Sequence, residues 1–203
     1  MTDTEMTELD EKELTRRIID GDAEAFNELV RLYHPSVFRL ANRMLRNADD
    51  AQEVAQEAFL AAYEGAAKFK GQSHIRTWLL SITYNKTVDR LKKTIKDNWF
   101  IAGDLEKSEK WEIVEKVTKF TDWGRNPEQN FQSAEIRASL ETALSTVPAE
   151  SKAVFELRDI QGLTSKEVAD ALGITEGTVR VRLHRVRQYL MVAMQNFFNP
   201  EGR

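Results

Sequence analysis

Four arginines fall within eight residues near the C-terminal end of the chain: Arg180, Arg182, Arg185 and Arg187. They are interleaved with Val179, Leu183, Val186 and Leu190, whose i, i+4, i+7, i+11 spacing is that of one buried helical stripe. At about 100° per residue, Thr178, Val181, His184 and Arg185 point away from that stripe, while Arg180, Arg182 and Arg187 lie on its flanks. A helix built this way buries one side and offers the other to a DNA major groove. There a guanidinium pairs with a guanine edge and an apolar side chain meets a thymine methyl. Taken alone, the same helix also reads as a solvated basic surface.

The residues just before it decide between the two. Thr164 and Glu167 have capping-box spacing, so a helix can start at Thr164 with two backbone donors satisfied. Val168, Ala169 and Leu172 give that helix an apolar face. Gly173 permits the positive φ that ends it, and Thr175 is a good N-cap for the arginine helix. Two short helices joined at a glycine make the outline of a helix-turn-helix.

The overall charge runs against nucleic-acid binding, at −4 over 203 residues. Its distribution matters more than the sum. From Lys68 to Lys96 eight bases (Lys68, Lys70, Arg76, Lys86, Arg90, Lys92, Lys93 and Lys96) stand against one acid, Asp89. The arginine helix is a second basic island. Acids concentrate in the first 13 residues and between Asp97 and Glu128. A single DNA-binding module needs only one basic island, so the pair points to two.

Composition bounds the rest. The 41% hydrophobic and 31% charged content is that of an ordinary soluble protein, long enough for one large or two small domains. The absence of cysteine excludes disulfides and thiolate zinc sites. The start, MTDTEMTELDEKEL, has neither a basic region nor an apolar one, so no signal peptide is expected. No segment approaches the roughly 18 apolar residues of a membrane span. The expected location is cytoplasmic, with no membrane insertion.

Helical periodicity runs from about Asp22 to Lys93. Phe26, Leu29, Val30 and Tyr33 form one apolar face. Beyond Pro35, with His34 read as a helix-entry residue, Val37, Leu40, Ala41, Met44 and Leu45 form another. Val54, Ala55, Ala58, Phe59, Ala62 and Tyr63 make a third, and Trp78, Leu79 and Ile82 begin a fourth. Gly71, Gln72 and Ser73 read as a loop before a helix starting near Ile75 or Arg76. Regularity fades from about Thr94 to Asn130, apart from a transient helix around Trp111 to Phe120. It returns with Ile136, Leu140, Leu144 and Val147, then Val154, Phe155 and Leu157. No strand pattern persists. The expected fold is all-α: an acidic N-terminal segment (1–21), a helical domain (22–94), a long flexible linker (95–130) and a second helical domain (131–198).

Four blocks in this order resemble the bacterial sigma factors of the extracytoplasmic-function group, the small type with only the second and fourth sigma domains. DAEAFNELVRLYHPSVFRLANRML (Asp22 to Leu45) is similar to the opening helices of the second domain. DDAQEVAQEAFLAAY (Asp49 to Tyr63) is similar to the helix that binds the clamp helices of the largest RNA polymerase subunit. FKGQSHIRTWLLSITYNKTVDRLKK (Phe69 to Lys93) resembles the segment that opens and reads the −10 promoter element. GLTSKEVADALGITEGTVRVRLHRVR (Gly162 to Arg187) resembles the helix-turn-helix that reads the −35 element.

The resemblance implies an alternative sigma factor: a promoter-specificity subunit without catalysis or cofactor, binding core RNA polymerase and promoter DNA. It implies polymerase contacts at Asp49, Asp50, Glu53, Gln56 and Glu57, with a further contact to the flap of the second-largest subunit. The −10 element falls to Lys70, Gly71, Gln72, Ser73, His74, Arg76, Lys86, Arg90, Lys92 and Lys93. The loop would trap a base whose flipping costs a few kcal/mol, and the bases would track phosphates. The −35 element falls to Thr178, Arg180, Val181, Arg182, His184, Arg185 and Arg187. An anti-sigma protein is an implied regulator. Two promoter elements lie roughly 70 Å apart at 3.4 Å per base pair, and a linker of about 36 residues reaches some 120 Å.

Two other readings stay open at this level. One is a conventional helix-turn-helix regulator that binds an operator without polymerase, against which the second basic island counts. The other is a helical nuclease or phosphohydrolase holding a divalent metal on Asp49, Asp50, Glu53 and Glu57, although no inward Glu-x-x-His pattern accompanies those carboxylates.

Overall fold

The computed structural model describes residues 8–97 and 134–194, and within them every regular element is helical. Most of the segment read as a linker, with its transient helix, lies outside the described residues. So do both chain ends. The described helices are α1 (Glu8–Ile19), α2 (Ala23–Leu45), α3 (Ala48–Gly65), α4 (Ile75–Asp97), α5 (Ala134–Leu144), α6 (Ala149–Phe155), α7 (Ser165–Leu172) and α8 (Glu176–Ala193). They form two compact units, the first holding α1 to α3 and α4 as far as Leu91, together with Asp170–Gly173, and the second holding α5, α6, the start of α7 and α8.

In the first unit α2 and α3 form a hairpin with only Arg46 and Asn47 between them. Asp22 caps α2, its carboxylate accepting from the backbone N–H groups of Glu24 and Ala25. Arg46 closes α2 in the left-handed region at φ 58°, and the Asn47 side chain then caps α3 through Asp49 and Asp50 N–H. Leu29, Val37, Ala55, Ala58 and Ala62 fill the core between the helices, with Ile75 and Leu79 of α4 completing it. The alanines of α3 let the two helices approach closely, because small side chains at the contact shorten the distance between axes.

Two features differ from the sequence expectation. The helix expected to begin at Pro35 is instead the middle of α2, which runs unbroken for 23 residues. Proline removes one hydrogen bond, to the Arg31 carbonyl, and packing along both halves of the helix outweighs that loss: Leu29, Val37 and Leu40 are all fully buried. His34 is accordingly a mid-helix residue whose ring lies parallel to those of Phe38 and Phe59. The other difference is α1. The residues read as an acidic N-terminal segment contain a helix that places Leu14 and Ile18 in the core of the first unit.

In the second unit α8 packs against α5 and α6. Val179, Leu183, Val186 and Leu190 are all buried, as the stripe required. Phe155, Leu157, Leu144 and Val168 join them in the interior. Between α6 and α7 the backbone continues through a wide helical turn, Glu156–Ile160, which carries the nearly buried Asp159.

Candidate nucleic-acid interface

The helix-turn-helix forms as the local chemistry dictates. Thr164 N–H donates to Glu167 Oε2 at 2.8 Å, and Glu167 N–H donates back to Thr164 Oγ1 at 3.2 Å. This reciprocal capping box starts α7. Gly173 has φ 66°, and Ile174 N–H closes the helix end on the Ala169 carbonyl. Thr175 then caps α8, its hydroxyl accepting from Thr178 N–H at 3.1 Å.

The residues of α8 proposed to face DNA divide into two groups. Arg180, Val181, His184 and Arg185 are exposed and Thr178 is half-buried at the first turn. Arg180 makes only a long i,i+4 pair with Glu176 at 3.7 Å, a kind worth a few tenths of a kcal/mol. Arg182 and Arg187 are differently placed. Arg182 pairs with Glu150 on α6. Arg187 makes a two-pronged pair with Asp159, Nε–H donating at 2.8 Å and Nη2–H at 2.6 Å, to a carboxylate only 3% exposed. The hydrogen bond to Asp159 holds the Arg187 guanidinium above its ordinary pKa against the opposing effect of burial. Both arginines sit on the flanks of the stripe, where the helical wheel put them, and both are turned inward onto acids of the same unit.

The second basic island is likewise sorted by its neighbours. Lys70, Gly71, Gln72 and His74 are exposed, Ser73 and Arg76 half-buried, and Lys92 and Lys93 exposed further along α4. Gly71 takes φ 65°, turning the chain sharply at the loop tip. Phe69, which the sequence reading left unremarked, stacks on Trp78 with ring centroids 4.7 Å apart. The pair anchors the base of the loop, and Trp78 packs on the core as well. Ile75 is buried beneath the start of α4.

Arg90 and Lys86 connect this island to α3. Arg90 donates to Asp50 Oδ1 at 2.8 Å and to Glu53 Oε2 at 2.7 Å, and reaches Glu57 Oε1 at 3.4 Å. Its pKa is raised, first by the hydrogen bond to Glu53 and then by the surrounding carboxylates. Lys86 Nζ lies 3.9 Å from Glu57 Oε2. Residues assigned from sequence to two different partners are thus in contact with one another. Asp49, Gln56 and the outer edges of Glu53 and Glu57 remain exposed on α3. Among the described residues no group of three or more histidines and carboxylates is placed to hold a metal ion. Nor is any described helix long and apolar enough to cross a membrane.

Comparison with known proteins places both units. Residues 29–96 match the family model of Sigma-70 region 2, and residues 137–190 match that of Sigma-70 region 4. The chain is 30% identical over 179 residues to the ECF RNA polymerase sigma factor SigW of Bacillus subtilis, covering 88% of this chain and 94% of SigW. The chain belongs to the extracytoplasmic-function sigma factors. It is also 31% identical to the ECF sigma-E factor of Escherichia coli K12, over 89% of this chain and 92% of that one. The fold agrees with the sigma factor RpoE of Bartonella quintana, solved in complex with the anti-sigma factor NepR. That likeness has a TM-score of 0.60 at 17% identity and covers 85% of this chain and 98% of RpoE.

As a member of this family the protein is an alternative sigma factor that directs transcription initiation with RNA polymerase at promoter DNA. Sigma factors are initiation factors and perform no catalysis. The region 2 match begins at residue 29, so α1 lies before it.

Proposed function

We propose that α8 reads the −35 duplex through Thr178, Arg180, Val181, His184 and Arg185, and that Arg182 and Arg187 hold the helix in place. The observation that carries this is the division of the arginines: two outward on the exposed face, two tied to acids of their own unit. Outward guanidiniums supply bidentate guanine contacts or phosphate contacts, and Val181 offers an apolar surface to a thymine methyl.

The loop Lys70, Gly71, Gln72, Ser73 and His74, with Arg76, captures the −10 element as a separated strand. Lys86, Lys92 and Lys93 track its phosphates. Arg90, paired to three carboxylates, acts mainly in holding α4 to α3. The exposed edge of α3, from Asp49 and Asp50 through Glu53, Gln56 and Glu57, docks on the clamp helices of the largest polymerase subunit, and the second unit meets the flap of the second-largest. The Bartonella relative was solved with an anti-sigma factor, and an anti-sigma protein is the expected regulator here. The protein works in the cytoplasm beside the polymerase.

Run-off transcription with sigma-free core polymerase and a pool of promoter fragments tests the whole assignment. Transcripts should depend on this protein and fall roughly 5- to 150-fold with Arg180→Ala or Arg185→Ala, since a good base contact is worth about 1–3 kcal/mol. The amide exchange of α8 should stay unchanged in both variants. Tight binding to particular duplexes without polymerase, and no transcripts with it, would instead describe a conventional regulator.

A further inference from the structure

The helix α1 ends its first turns against the loop just assigned to −10 capture. A carboxylate does the joining. Glu11 Oε1 accepts from the backbone N–H of Ile75 at 3.1 Å, and Glu11 Oε2 lies 3.1 Å from His74 Nδ1. Ile75 is the first residue of α4, so its N–H is one of the donors that a helix start leaves without an intrahelical partner. His74 stands at the capping position, and its carbonyl already accepts from Trp78 N–H. Histidine is not among the side chains that cap well. The cap comes from a residue 64 positions away in sequence, and its negative charge sits at the positive end of the α4 dipole.

Glu11 is held for this task. Its side chain is only 18% exposed, against 53% for His74. Leu14 and Ile18, one and two turns further along α1, are buried in the same core cluster as Ile75 and Leu79. The Glu11 charge also reaches Tyr33 on α2: that phenol is pushed up to about 12, by burial first and then by Glu11, with Arg76 opposing. One end of the loop is therefore secured by the Phe69–Trp78 stack and the other by α1. A loop that must catch a flipped base gains affinity when its bound shape is set in advance, because less ordering remains to be done on binding.

We propose that Glu11 is a positioning residue for −10 recognition, with α1 as the strut that carries it. The role lies outside the part of the chain that matches region 2, which starts at residue 29. It rests on the reading of Lys70 to His74 as the −10 loop.

The test uses reconstituted holoenzyme on promoters that differ only in the −10 bases, and reads the ratio of transcription between the preferred and altered bases. A ratio does not depend on how much of a variant is folded. Glu11→Ala should lower that ratio about fivefold, the order of one lost helix cap. Glu11→Gln keeps an acceptor for Ile75 N–H and should fall between it and the parent protein. Core polymerase binding and amide exchange in α3 should match the parent in both. Gln72→Ala, in the loop itself, tests the underlying reading and should also lower the ratio. If Gln72→Ala lowers it and Glu11→Ala does not, Glu11 is only a structural cap and the proposal fails. If substitutions across the loop leave base preference intact, the −10 assignment falls and the role of Glu11 falls with it.

Discussion

Arg187 looks like a DNA contact in the sequence and like a support in the structure, and a stability measurement separates the two. Arg187→Met keeps the apolar stem and removes the guanidinium. It strands Asp159, whose side chain is 3% exposed and loses both of its hydrogen bonds from Arg187. Breaking a fully buried ion pair by removing one partner costs about 3–5 kcal/mol. Arg187 itself is 34% exposed, so solvent screens the pair and the expected loss is nearer about 2 kcal/mol. At 1.36 kcal/mol per tenfold, amides of α8 that open with the second unit should exchange roughly 30-fold faster. Adding Asp159→Asn removes the stranded charge and should recover most of that loss. The assay is hydrogen exchange read by mass spectrometry on the intact chain, with α3 peptides as the internal control. Exchange within twofold of the parent, combined with a tenfold loss of −35 duplex recognition by the holoenzyme, would refute the argument and return Arg187 to the groove.

Leu190→Ala opens a cavity at a fully buried position of α8 and should cost about 2–5 kcal/mol, read as a lowered melting temperature of the second unit in a thermal melt. Gly173 has φ 66° with open space where a side chain would stand. Gly173→Ala should therefore cost only the left-handed strain of about 1–2 kcal/mol, and Gly173→Asn less, as read by urea unfolding. Asp22 has its carboxyl held below the usual range, first by the Ala25 N–H and then by Arg17. A depressed folded value means stability that is present above the ordinary carboxylate pKa and lost as pH falls through the lowered one. Acid titration of α2 helicity should show that loss in the parent, and a shallower acid limb in Asp22→Asn, which keeps the cap without the charge.

The short-range features of the helix-turn-helix were legible in the chain. The capping box of Thr164 and Glu167, the turn at Gly173, the Thr175 cap and the buried stripe of α8 each involve residues a few positions apart. Their geometry follows from one helical repeat. The charge islands were equally visible, and so was the loop ahead of Ile75. The α1 helix could have been found from Leu14 and Ile18, spaced one turn apart, but the surrounding acids masked so short a signal. Pro35 misled for a related reason: its local cost is real, and only packing on both halves of α2 overrides it.

What each charge does was decided by the tertiary fold. Arg90 meets Asp50 across 40 positions, Arg182 meets Glu150 across 32, Arg187 meets Asp159 across 28 and Glu11 meets His74 across 63. Periodicity carries no information over such separations, because it reports which face a residue occupies and not what the neighbouring helix brings to that face. The sequence by itself determined the start and the buried side of the helix-turn-helix helices and where positive charge gathers. Only the folded chain determined which cations are neutralised at home and which stand exposed, because an ion pair depends on atoms within about 4 Å, a distance that helix packing alone sets.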